Sequence, residues 1–409
     1  MTSFLQLAIA LTIIISAAKV GGYLSYRLGQ PSVLGELIVG IILGPSVLNF
    51  LSIPYFMDEH LPEVIHHMAE LGVLLLIFLA GLDLHITDLL KSSKVAALAG
   101  SLGVVFPLVL GAGVGMLFSM NPQSALFIGL ILSATSVSIS AQTLMELKVL
   151  RSRVGISLLG AAVFDDILVL LGLSIFTALM QPALGSGFIS ILWIILKMVV
   201  FLGVASLLGW WAFPRLSRLI IKLPISQGLI AFAFVIILFY GWSAELFGQM
   251  AAITGAFLAG LWFGRTSEKD RIHSGIATIA YGVFVPVFFI DIGLSANVRE
   301  LNREGVLLML VLVVVAVISK VLGSGSGALL GGLERREALQ LGVGMISRGE
   351  VGLIIAAVGI EEGLIQQTVF SAIVGVVILT TVITPVLLKA LYPKIQKAQE
   401  DLQNTQEGA

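Results

Sequence analysis

Apolar runs follow one another along nearly the whole chain, separated by short polar or basic stretches. At about 1.5 Å of rise per residue, thirteen of them are long enough to cross a bilayer or nearly so. They fall at about 4–25, 31–48, 66–87, 93–118, 123–145, 153–180, 187–213, 226–246, 250–264, 274–294, 304–332, 337–360 and 365–391. The pattern predicts an all-α protein with about thirteen transmembrane helices in one membrane domain over 1–395, followed by a short tail at 396–409. Two segments are poor lipid-facing helices. The fifth carries the hydroxyl run Ser133-Ala134-Thr135-Ser136-Val137-Ser138-Ile139-Ser140, and the twelfth carries Ser347-Arg348-Gly349-Glu350 among Gly342, Gly344 and Gly352. Such stretches unwind where they line a cavity, and a corresponding pair in two halves points to an inverted repeat. A glycine-rich helix precedes each: Gly100 to Gly115 before the fifth, and Gly323-Ser324-Gly325-Ser326-Gly327 before the twelfth. Close helix packing by small residues is the competing explanation.

An odd number of crossings places the two termini on opposite sides, and the basic residues choose between the two orientations. With the N-terminus outside, 17 of the 23 Lys and Arg residues fall in cytoplasmic segments, among them Lys148, Arg151, Arg153, Arg265, Arg271, Arg335 and Arg336. Arg299 and Arg303 fall outside, and Lys19, Lys197, Lys320 and Arg348 lie within helices or at their ends. The C-terminus is therefore expected in the cytoplasm. The first segment lacks a basic leader and reads as a retained helix.

Composition agrees with the pattern: 58% of residues are hydrophobic and 11% charged, with a mean hydropathy of +1.06, against roughly 25% charged in a soluble domain. The net charge of −1 argues against a nucleic-acid partner, and the absence of cysteine excludes thiol chemistry. His60, His66 and His67 on the expected external loop lack the tight spacing of a structural metal site.

The strongest chemical signal is Asp165-Asp166 in the apolar run from Ile156 to Met180. A carboxylate at membrane depth costs several kcal/mol unless it meets a cavity, a partner charge or a cation. Helical neighbours point about 100° apart, so the two aspartates have different partners. Lys320, the one charge in its own apolar run, can serve one and leaves the other for an ion. Burial favours neutral forms and pairing favours charged ones, so such a cluster can exchange protons. A static salt bridge is the competing reading for Lys320. Arg348 and Glu350 are expected to satisfy unwound backbone or each other, Asp291 to act as a capping carboxylate, and Glu36 and Asp83 to sit solvated near helix ends. A channel would need a continuous pore, a sensor would bind without flux, and an aspartyl protease would need two carboxylates converging on one water, which adjacent helical positions do poorly. The residues favour a transporter over an enzyme.

Several motifs together resemble the bacterial monovalent cation:proton antiporter-2 family, the NapA-like sodium/proton antiporters in particular. They are Ala134-Thr135-Ser136 with Ser138, Phe164-Asp165-Asp166, Lys320 ahead of the Gly-Ser-Gly-Ser-Gly stretch, Arg348-Gly349-Glu350-Val351-Gly352, Phe78 to Leu82, and Pro286 to Phe289. The resemblance spans about 4–391. It implies two inverted repeats with crossed broken helices (the fifth and twelfth), a dimerisation domain in a homodimer, and a mobile core of helices about 93–180 and 304–391. It implies Asp166 as the carrier of Na⁺ and protons, with Thr135 and Ser136 beside it, Asp165 as the partner of Lys320, and Arg348, Glu350 and Ser138 as core support. The implied activity is exchange of a monovalent cation, Na⁺ or Li⁺, for protons at a bacterial inner membrane in pH homeostasis. No cofactor is implied, only the transported cation. Potassium/proton exchange or potassium efflux is the alternative, although the soluble nucleotide-binding tail usual in gated potassium systems does not occur in this sequence. Many members carry serine or asparagine where Asp291 stands.

Overall fold

The computed structural model describes residues 2–180, 188–294 and 301–392; the expected tail at 396–409 and Arg299 lie outside these residues. Within them the regular structure is helical. It comprises α1 (Ser3–Arg27), α2 (Ser32–Leu43), α3 (Leu61–Asp83), α4 (Ile86–Lys91), α5 (Ser93–Leu117), α6 (Pro122–Ser133), α7 (Val137–Glu146), α8 (Arg153–Met180), α9 (Phe188–Ile220), α10 (Gly228–Ser243), α11 (Ala252–Phe263), α12 (Lys269–Ile279), α13 (Val285–Leu294), α14 (Arg303–Gly331), α15 (Arg335–Gly344), α16 (Glu350–Glu361) and α17 (Gln367–Ala390). Among the described residues ten spans are long and apolar enough to cross a membrane, and three shorter apolar helices, Ser32–Leu43, Ala252–Phe263 and Val351–Ile360, accompany them.

Local chemistry sets many of the ends. The Asn121 side chain accepts from the Ser124 amide at 2.7 Å with Pro122 in the first turn, which starts α6. Asn302 accepts from the Gly305 amide at 2.7 Å and starts α14, which stops where Gly332 takes a φ of +102°. α3 begins at Leu61, ahead of the expected 66, because Pro62 fits a first turn whose amides need no partner and the polar residues His66, His67 and Glu70 lie exposed along it.

The helices pack as two sets. One comprises α1–α3 and α9–α13, the other α5–α8 and α14–α17, with dense packing inside each and few contacts between them. Phe213 stacks on Phe263 at 4.4 Å with Phe78 edge-on to Phe263 at 5.9 Å inside the first set, and Phe127 meets Phe176 at 5.0 Å inside the second. Such ring pairs contribute about 0.5–1.5 kcal/mol each beyond their buried area. Position decides where polar sequence is tolerated. In the most apolar stretch of Leu192–Ile220 only 22% is buried, with Trp193, Trp210 and Trp211 turned outward, whereas 94% of the corresponding stretch of Pro122–Glu146, the span that holds the hydroxyl run, is packed inside the protein.

Candidate functional site

The fifth and twelfth apolar segments are both interrupted, and the interruptions touch. Helix stops at Ser133 and restarts at Val137; in the other segment it stops at Gly344 and restarts at Glu350. The Ser136 amide donates to the Ser347 carbonyl at 2.8 Å, the Ser347 hydroxyl donates to the Ser136 carbonyl at 2.7 Å, and the Ser140 hydroxyl donates to the Gly344 carbonyl. Groups that lipid could not satisfy thus satisfy one another. Gly349 is required here, since a Cβ on it would stand 2.6 Å from both Cβ and Oγ of Ser136. Ser136 and Ser138 share a hydrogen bond at 2.9 Å.

Arg348, almost fully buried, answers the other freed carbonyls. Its guanidinium donates to Ile346 O at 2.8 Å, Met345 O at 3.2 Å and Ala316 O at 3.3 Å, and the Thr381 hydroxyl donates to Arg348 O at 2.8 Å. A cation at the broken C-terminal end of α15 also complements the negative end of the helix dipole. Arg348 therefore serves the unwound backbone; the side chain of Glu350 lies outside the described residues.

Asp165 and Lys320 are both fully buried and form an ion pair, Lys320 Nζ donating to Asp165 Oδ1 at 2.8 Å between α8 and α14. Gly103 on α5 leaves the room, because a Cβ there would come within 3.6 Å of Lys320 Nζ and closer still to Ser324 Oγ. Asp165 Oδ2, Ser324 Oγ and Thr135 Oγ1 are buried with no hydrogen-bond partner among the described residues. Each such atom costs about 1–3 kcal/mol, a cost that a packing role does not explain.

Asp166 looks elsewhere. Only 5% exposed, it lines a cavity of about 10 Å³ with Val137 of α7 and Leu159, Ala162 and Val163 of α8, while Ile77 of α3 and Ile253, Thr254 and Phe257 of α11 close it from the other helix set. A water molecule needs about 10–15 Å³, so this space admits one water-sized species. The site lies on the seam between the two sets. Thr135 and Ser136, expected beside Asp166, sit in the helix interruption and are not among the cavity walls. A larger groove of about 390 Å³ between α9 and α10, apolar except for Lys197, Tyr240 and Ser243, lies apart from both aspartates.

Towards the basic end, two further contacts bridge the seam. The amide and hydroxyl of Ser32, which opens α2, donate to Glu146 at 2.7 and 2.5 Å while Gln142 donates to the same carboxylate at 2.8 Å, and Arg151 donates to Asp83 at 2.7 Å. Asp83 is thus ion-paired rather than merely solvated. Glu36 also departs from expectation: it is 7% exposed, because α1 crosses α2 with Gly22 against it and covers the helix end that the sequence left open. Asp291 pairs with His66 at 2.8 Å, tying α13 to α3. Sequence reasoning passed over Thr254, Glu146 and Gly103, since a lone hydroxyl, a helix-end carboxylate and one glycine among many carry no signal without their neighbours.

Comparison with known proteins bears on what this site is for. Residues 12–392 match the family model described as the transmembrane sodium/hydrogen exchanger. The chain is 40% identical over 398 residues to the Na⁺/H⁺-K⁺ antiporter GerN of Bacillus cereus, covering 97% of this chain and 98% of that one. It is 36% identical to the Na⁺/H⁺ antiporter of Enterococcus hirae, over 94% of this chain and 98% of the relative. The solved sodium proton antiporter MjNhaP1 of Methanocaldococcus jannaschii superposes with a TM-score of 0.68 over 97% of this chain and 98% of its own, at 16% identity, and so shares the fold.

Proposed function

Because the chain belongs to the transmembrane sodium/hydrogen exchanger family, we propose that it exchanges Na⁺ for protons across the membrane and that Asp166 carries each in turn. The observation that carries this reading is the division of labour between adjacent aspartates: Asp165 is neutralised by Lys320, while Asp166 faces a one-water cavity on the seam. A carboxylate so enclosed holds a cation or a proton but not both, so protonation expels the cation and deprotonation readmits it. Sliding of the second helix set past the first opens the seam to one side and then to the other, which gives alternating access without ATP or covalent chemistry.

The same reading extends to the architecture. Ten long spans, with α2, α11 and the interrupted α15–α16 segment, would make thirteen crossings, and the paired interruptions support two inverted repeats. The basic residues support an external N-terminus. The first set would form the scaffold of a homodimer, and the second the mobile core. Proton release by Lys320 during the cycle would make the exchange electrogenic. Potassium remains the second candidate cation, on the strength of the name that GerN bears.

The test is Asp166→Asn in proteoliposomes given Na⁺, Li⁺ or K⁺ in turn. Asparagine keeps shape and an oxygen but cannot ionise, so exchange should be abolished in a folded, inserted protein. Near wild-type sodium-driven proton flux in that variant would move the carrier to another carboxylate.

A further inference from the structure

We propose that Thr254 is a specificity-determining residue whose hydroxyl ligates the cation held by Asp166, an inference that rests on Asp166 being the carrier. Thr254 is 2% exposed and its Oγ1 has no hydrogen-bond partner among the described residues. Thr135 shares this condition, but four other threonines show the usual alternative. Thr12, Thr143, Thr278 and Thr384 each turn the hydroxyl back to the carbonyl four residues earlier, at 2.7–2.8 Å. Thr254 stands in the first turn of α11, where its amide already closes on Ala251 O at 2.9 Å and no helical carbonyl lies behind it. A valine would fill the same space without a buried, unpartnered oxygen. The hydroxyl therefore costs stability where it sits.

Its position gives it a use. The cavity beside Asp166 is otherwise walled by Ile77, Val137, Leu159, Ala162, Val163, Ile253 and Phe257, so Asp166 and Thr254 are the two polar side chains that face it. With space for one water-sized species, a cation there has shed most of its hydration shell and takes oxygen ligands from the protein. A hydroxyl lone pair is such a ligand. Asp166 lies midway along α8, and the first turn of α11 faces the same cavity, so Thr254 stands at the depth of that carboxylate. The two ligands also stand on opposite helix sets, Asp166 on α8 and Thr254 on α11. A sliding movement would separate them, so the hydroxyl tightens the site in the arrangement seen here and releases its hold as the seam moves. The gap between the two sets then restricts the size of ion that both oxygens can reach at once.

The experiment uses the full chain in proteoliposomes and compares wild type with Thr254→Val, Thr254→Ser and Asp166→Asn. Apparent KM values are measured for Na⁺, Li⁺ and K⁺, and melting temperature in detergent. Loss of one ligand should raise the KM for Na⁺ by roughly three- to tenfold and change the Na⁺/K⁺ ratio, while serine keeps both within about twofold of wild type. Thr254→Val should melt at or above the wild-type temperature. Unchanged cation KM and selectivity in Thr254→Val, or a lowered melting temperature showing that the hydroxyl is structural, overturns the proposal. Should the valine variant fail to insert, Thr254→Ala carries the same comparison. Exchange surviving in Asp166→Asn would instead remove the carrier assignment beneath it, an outcome distinct from an inactive Asp166→Asn beside a silent Thr254→Val.

Discussion

Replacing Lys320 tests whether the buried ion pair is the energetic centre of the second helix set. Lys320→Met keeps most of the unbranched side chain and removes its charge, leaving Asp165 fully buried with Oδ1 stripped of its 2.8 Å donor and Oδ2 already without one among the described residues. Breaking a buried pair in this way costs about 3–5 kcal/mol, because the remaining carboxylate is uncompensated in a medium that solvates it poorly. Glutamine retains a neutral donor, so Lys320→Gln should recover part of that, about 1 kcal/mol or so. Asp165→Asn with Lys320→Gln removes both charges and should be more stable than Lys320→Met by about 2 kcal/mol or more. The measurement is a double-mutant cycle on thermal unfolding in detergent, with charge moved per cycle read in parallel from the response of proteoliposomes to an imposed potential. Lys320→Gln should shift transport towards electroneutral exchange. If the single losses simply add in the double variant, to within about 0.5 kcal/mol, the two residues are not coupled and the pairing has no energetic weight. Unchanged charge per cycle would separately deny Lys320 a proton-carrying role.

Three further outcomes follow from the same geometry. Glu146→Ala removes the two hydrogen bonds from Ser32 that bridge the helix sets, together with the Gln142 bond within α7, and should lower stability by about 1–3 kcal/mol; an unaltered melting temperature would show that this bridge holds nothing. Gly349→Ala drives a methyl group into Ser136 and should cost about 1–3 kcal/mol, a loss that Ser136→Gly in the same chain should largely reverse. A cysteine introduced at Asp58 should react with an impermeant reagent in intact cells, and reaction only after permeabilisation would invert the orientation read from the basic residues.

What depends on burial energy along one dimension was legible in the order of residues alone. A membrane forbids unsatisfied backbone and tolerates few charges, so apolar runs announced the spans, and the hydroxyl run and the Ser347 to Glu350 stretch stood out as places where a plain helix fails. The same cost made Asp165, Asp166 and Lys320 conspicuous and required that a single lysine serve one aspartate. Which aspartate Lys320 serves, which way Asp166 looks, and what closes the cavity around it were decided only when α5, α8 and α14 packed together and α3 and α11 came across the seam. Ser136 was expected beside Asp166 and Ser138 as core support, and it is the meeting of two broken helices that turns Ser136 backbone to Ser347 and its side chain to Ser138. Glu36 looked solvated because its helix end was near, and became buried because α1 lies over it. Thr254 illustrates the limit most plainly. One hydroxyl in an apolar segment has no meaning along the chain, since whether it is capped, solvated or left facing an ion depends on which other helix supplies the opposite wall.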